Sequence, residues 1–137
     1  MMTTHKTEDG LLQPAPHFTP GSWTNLANPT HEELARVVEN ARIPADVLSD
    51  ALDIDERARC EYDEGYLFVI LRIPVIDHAE THPRHFTVPL GVIMTADCVF
   101  TVCRKENDVT EEFLRRKIKG FTTVKHSRFL LQVMLRT

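Results

Sequence analysis

Five consecutive large apolar residues, Leu67-Phe68-Val69-Ile70-Leu71, limit most severely how this chain can fold. They lie inside Tyr66–Ile73, a strand-forming segment without polar–apolar alternation, so both faces of the strand require burial. Each such side chain, fully buried, is worth roughly 1.5–3 kcal/mol. The segment therefore reads as the central strand of a sheet covered on both sides. Just ahead of it the chain is crowded with acids: Asp50, Asp53, Asp55, Glu56, Glu61, Asp63 and Glu64, broken by Arg57 and Arg59. One edge of the domain carries negative charge.

The remaining elements follow from local signals. Ser22 to Leu26 alternates as a short strand, with Trp23, the only tryptophan, directed to the core. Thr30-x-x-Glu33 is a capping box, and Leu34, Val37, Val38 and Ala41 follow at helical spacing. Pro44 opens a second helix with Val47, Leu48, Ala51 and Leu52 on its apolar side. A short strand near Arg59–Tyr62 and the turn Asp63-Glu64-Gly65 give hairpin spacing into the apolar strand, which Pro74 ends. Residues 75–86 read as a polar loop. Thr87 to Met94 forms the next strand, where Pro89 demands an edge or a bulge, and Cys98 to Cys103 forms another. Residues 66–104 thus make an antiparallel meander.

Asn107 or Asp108 caps a third helix, closed by Gly120. Thr123 to Thr137 is helical but apolar on several sides and ends without a capping signal. That pattern is expected of a fragment whose natural chain continues; the alternative is a final helix that dimerises. Residues 1–20 mix threonine, histidine, charge and three prolines, and read as a disordered or loosely ordered tail. Residues 21–137 form one domain. The fold class is α/β (α+β): a three-layer α/β/α arrangement around a mixed, mostly antiparallel sheet. The first two helices cover one face and the later helices the other.

Composition excludes several classes of function. The net charge of −4 argues against a nucleic-acid partner. Residues 46–64 carry eight acids against two arginines, whereas residues 104–128 carry eight basic residues against four acids. Opposite-sign surfaces of this kind suit self-association or subunit contacts; the plain alternative is an ordinary solvated surface, since many look the same. Cys60, Cys98 and Cys103 are odd in number and form no CxxC, so reduced thiols are expected. The N-terminal segment has no signal-peptide core, and no apolar run reaches the length of a membrane span.

No enzyme signature is present. The five glycines make no phosphate loop, and Ser22, Ser49 and Ser127 lack a nucleophile-elbow context. His78, His82 and His85, with Asp77 and Glu80, contain zinc-type ligands but sit in a loop with no fixed scaffold. The acids around residue 50 are different, because hard divalent cations prefer carboxylate oxygen and Mg²⁺ often uses only one or two carboxylates. Asp50 and Asp53 end a helix, and Asp55 and Glu56 follow. Across a subunit boundary such carboxylates can share a hydrated ion. The plain alternative is that Arg57 and Arg59 pair with these acids and stiffen the turn.

Several pieces together resemble the N-terminal cytoplasmic domain of the CorA family of magnesium transporters. They are Trp23-Thr24-Asn25-Leu26 with Asn28-Pro29-Thr30 and Glu32-Glu33-Leu34; Ile43-Pro44 with Leu48-x-Asp50-Ala51-Leu52-Asp53; Asp55-Glu56-Arg57-x-Arg59-x-Glu61; and Thr87-Val88-Pro89-Leu90-Gly91 leading to Thr101-Val102. They occur in the family's order over about residues 22–104. The resemblance implies a homopentameric divalent cation transporter in the cell (inner) membrane, of which this chain is a soluble part on the cytoplasmic side. The family's Gly-Met-Asn pore signature and both membrane helices are absent, so the fragment alone does not transport.

The resemblance also assigns a regulatory Mg²⁺ ligand to Asp50, at a site between neighbouring cytoplasmic domains. The assisting acid that some members carry just before it is Ser49 here, and the other half of the site belongs to a stalk helix outside this chain. Weak Mg²⁺ binding to the isolated domain follows. The implied function is Mg²⁺ sensing and assembly, without catalysis. The competing reading is a soluble binding or adaptor domain that self-associates through its C-terminal helix.

Overall fold

The computed structural model describes residues 1–63, 65–79 and 81–137; Glu64 and Glu80, both counted among the acids above, lie outside the described residues. The elements in chain order are β1 (Met2–Glu8), β2 (Leu11–Pro14), β3 (Ser22–Ala27), α1 (His31–Ala41), α2 (Ala45–Leu52), β4 (Arg59–Asp63), β5 (Tyr66–Asp77), β6 (Arg84–Thr95), β7 (Val99–Cys103), α3 (Asp108–Leu114) and α4 (His126–Met134). The strands form one sheet in the order β2-β1-β3-β7-β6-β5-β4. Among the described residues only β3 and β7 run parallel, and every other pair is antiparallel.

The sheet has a separate core on each face, which makes the three layers α/β/α. Phe68 and Ile70 of β5 pack with Val37, Val47, Leu48 and Ala51 under α1 and α2. Val69, Ile73 and Val75 point the other way and join Phe113, Phe129 and Val133 of α3 and α4. The unbroken apolar run of β5 is thereby buried on both sides, as its lack of alternation requires. It is nevertheless not the middle strand: β5 lies one place in from an edge and β7 occupies the centre.

Trp23 is fully buried. Its ring meets Phe129 edge-on at 5.2 Å, and its Nε1–H donates to Thr101 Oγ1 at 2.8 Å. Thr30 caps α1 with the full capping box, accepting from Glu33 N while Glu33 accepts from Thr30 N. Asn107 caps α3, accepting from Thr110 N at 3.0 Å.

Three segments differ from the sequence expectations. Residues 2–14 are not a loose tail but a hairpin, β1–β2, that extends the sheet beyond β3. Asp9 and Gly10 both take positive φ, 52° and 77°, as a two-residue hairpin turn needs. Thr4 and Thr24 close the β1–β3 contact through their hydroxyls at 2.8 Å. Next, Pro74 does not end β5, and the expected loop 75–86 is mostly a continuation of the β5–β6 ladder to Asp77↔Arg84. Pro74 and Pro89 are tolerated because β4 pairs with β5 only as far as Ile70, and β7 with β6 only from Leu90. Each proline's other side thus faces no strand. Finally, α3 stops at Leu114 rather than near Gly120, since Arg116 takes φ 59° and donates to Leu12 O at 2.7 Å.

Candidate functional site

The acidic corner is built by α2 and β4, and its position depends on Gly91. A β-carbon at Gly91 would lie 2.6 Å from Ala51 Cβ, so α2 rests directly on the backbone of β6 there. With Val47, Leu48 and Ala51 buried against the sheet, Asp46 and Asp50 fall four residues apart on the outer side of the helix. In β4, alternation places Arg59, Glu61 and Asp63 on the α2 side of the sheet, opposite Ile70, Phe68 and Tyr66, with Cys60 and Tyr62 on the other side.

Arg59 is the hub of this corner. Its Nη2 donates to Asp50 Oδ2 at 2.7 Å and its Nε to Glu61 Oε1 at 2.8 Å, and its Nη1 pairs with Glu56. The guanidinium lies over the Phe68 ring, 5.6 Å from its centre. Burial alone would lower the Arg59 pKa, but the hydrogen bonds it donates to Glu61 and Asp50 and the charges of Glu56 and Glu61 outweigh it and raise the value. The Asp50 side chain stays 41% exposed, so its pairing leaves it open to solvent.

Other acids in the segment do other work. Asp53 caps α2, and its Oδ1 accepts from Asp55 N at 3.0 Å, which shapes the turn. Around Tyr66, burial first and then the carboxylates of Asp63, Asp46 and Glu61 raise the phenol pKa above its ordinary value. Negative charge therefore extends along one face from Asp46 to Glu61.

Arg72 was not singled out by the sequence, yet it fixes the acidic turn. Its Nη1 donates to Ile54 O at 2.6 Å and to Glu56 O at 3.0 Å, while its Nη2 donates to Thr87 O at 2.8 Å. An arginine inside an apolar strand is the one signal that marks it.

Among the described residues, no group of three His, Cys, Asp or Glu side chains is arranged to hold a metal ion. His78, His82 and His85 are exposed on the β5–β6 hairpin and form no such group. Asp50 keeps a partly exposed carboxylate at 41%, and Glu61 beside it is more open still at 53%. Cys98 and Cys103 are buried thiols, and burial raises the pKa of each. No helix among the described residues is long and apolar enough to cross a membrane.

Comparison with known proteins agrees with this architecture. The family described as "CorA-like Mg2+ transporter protein" matches residues 21–134. Two solved structures from Methanocaldococcus jannaschii share the fold. The complete CorA magnesium transporter gives a TM-score of 0.77 at 14% identity, over 99% of this chain and 44% of that one. The soluble domain of CorA gives a TM-score of 0.77 at 17% identity, over 99% of this chain and 55% of that one. This chain thus spans about half the length of the proteins whose fold it shares. No curated protein matches it. With a family match across most of its length, the chain belongs to the CorA-like Mg²⁺ transporter family.

Proposed function

We propose that this chain is the cytoplasmic regulatory and assembly domain of a divalent cation transporter, and that it senses Mg²⁺ where neighbouring subunits meet. The observation that carries the reading is the solvent-facing acidic corner of α2 and β4, centred on Asp50 and bordered by Asp46, Glu56 and Glu61. In a homopentamer of the parent, this corner faces the adjacent subunit, which completes the ion's oxygen shell. At high Mg²⁺ the bound ions offset the repulsion between acidic faces and hold the ring in a closed arrangement. At low Mg²⁺ the repulsion returns and the population shifts towards an open, looser ring. The domain's part is electrostatic and mechanical, without catalysis.

The test is Asp50→Ala in the full-length parent, with transport current recorded as Mg²⁺ on the cytoplasmic side is raised. The reading predicts that closure is blunted and moves to higher Mg²⁺. An unchanged Mg²⁺ dependence refutes it.

One further observation favours the adaptor reading as an alternative. The outer side of α4 and its C-cap exposes Leu131, Met134 and Leu135, the last at 73%. Sedimentation equilibrium of the chain separates the readings: Mg²⁺-independent dimers abolished by Leu135→Glu support the adaptor.

A further inference from the structure

The acidic corner already contains a cation. Arg59 holds Asp50, Glu56 and Glu61 together from one guanidinium, and three carboxylates around one positive charge leave two negative charges uncompensated. The geometry matters more than the count. The Asp50 oxygen in the pair, Oδ2, is 2.7 Å from Arg59 Nη2 and points into the corner. The Arg59 stem is fixed by the β4–β5 register, and its head lies over Phe68, so it does not drift in solvent as a surface arginine does.

We infer that Arg59 is a tethered competitor for the regulatory cation and sets the Mg²⁺ concentration at which Asp50 responds. The inference rests on the reading of Asp50 as a Mg²⁺ ligand and adds what that reading lacks, a determinant of threshold. A divalent ion at Asp50 meets a fixed unit positive charge a few ångströms away. An ion at the other carboxylate oxygen feels that repulsion directly, and one that takes Oδ2 must also displace the guanidinium, which is then left to Glu56 and Glu61. Those two carboxylates give Arg59 a place to stay once displaced, so the exchange does not expel the side chain into water. Coulomb repulsion between a divalent and a monovalent cation about 5 Å apart in a water-like medium corresponds to roughly a tenfold change in affinity. Neutralising residue 59 should therefore move the response to lower Mg²⁺, although it removes an ion-pair hub.

The experiment is a Mg²⁺ titration of the chain by NMR at constant ionic strength, reading the Asp50 carboxyl carbon in wild type, Arg59→Gln, Arg59→Lys and Asp50→Asn. The midpoint in Arg59→Gln is expected at about tenfold lower Mg²⁺, and that in Arg59→Lys, which keeps the charge, near wild type. In Asp50→Asn, followed through the Arg59 Nε–Hε signal, the response should be lost. The wild-type protein gives a measurement that needs no substitution: the Arg59 Nε–Hε signal should shift with the same midpoint as the Asp50 carboxyl. An Arg59→Gln midpoint at or above wild type overturns the inference while the Asp50 reading stands. So does a wild-type Arg59 signal that stays still while Asp50 titrates. If Asp50→Asn responds to Mg²⁺ as wild type does, the Asp50 reading fails first, and this inference with it.

Discussion

The position of Asp50 rests on a helix packed against a glycine, and Gly91→Ala tests that support directly. The new β-carbon would stand 2.6 Å from Ala51 Cβ and 3.3 Å from Phe68 Cε2. Carbon atoms pack at about 3.5–4.0 Å, so α2 must retreat by about 1 Å. Overpacking of this kind costs about 1–3 kcal/mol, and replacing a strand glycine returns roughly 0.5–1, so the mid-range values leave a net loss of about 1 kcal/mol. For a domain of this size that is a fall in Tm of about 4 °C. Urea unfolding followed by the emission of Trp23 reads the change as a lower midpoint at unchanged slope. The sharper test is the pair with Ala51→Gly. That substitution alone costs about 1 kcal/mol in a helix, but with Gly91→Ala it removes the clashing atom. The two should therefore couple favourably by about 1 kcal/mol. A Gly91→Ala protein as stable as wild type, or strictly additive losses, would refute the close contact of α2 on β6.

Two other predictions concern the turn and the histidines. Arg72→Ala removes the donors that hold Ile54 O and Glu56 O, so it should destabilise the domain by about 1–2 kcal/mol and speed amide exchange at residues 54–57 more than in the β7 core; equal protection in that turn contradicts the clamp. Burial, with Arg116 adding to it at His5, lowers the pKa of His5, and burial lowers that of His126 despite the Thr95 hydrogen bond and the Asp97 charge. Both groups then bind protons more readily in the unfolded chain, so stability should be full above the unfolded value of 6.5 and fall as pH drops below it, until the folded values are passed. Urea midpoints at about pH 7.5 and about pH 5.5 should show the loss, and His5→Gln with His126→Gln should flatten it.

The parts of the fold that could be read from the sequence are those where one signal dominates. The apolar run of β5 required cover on both faces, and Thr30 with Glu33 marked the start of α1 without ambiguity. The N-terminal hairpin was hidden because β1 presents Thr4 and His5 where a core strand would carry valine or isoleucine. The Asp9-Gly10 pair was its one legible sign. The β5–β6 extension is not legible in the sequence because proline ordinarily ends a strand, whereas here its register on an open side makes it harmless. At the candidate site, the acids and the alternative of local pairing by Arg59 were both visible, and the structure shows that pairing. Which acids Arg59 selects was not visible, because the choice depends on the α2–β4 approach. The Arg72 clamp joins carbonyls up to 18 residues away, which no local pattern reports.

The account depends most on the acidic corner facing a sister subunit and tightening with Mg²⁺. Cys60 sits next to Arg59 on the edge strand and is exposed, whereas Cys98 and Cys103 are buried, so a nitroxide can be placed there without disturbing Asp50. In the full-length parent, with any other exposed cysteine removed, pulsed electron spin resonance measures the distances between labels on neighbouring subunits. The account predicts one short, narrow distribution at high Mg²⁺ that broadens and lengthens as Mg²⁺ is withdrawn. A distribution that is the same with and without Mg²⁺ contradicts it.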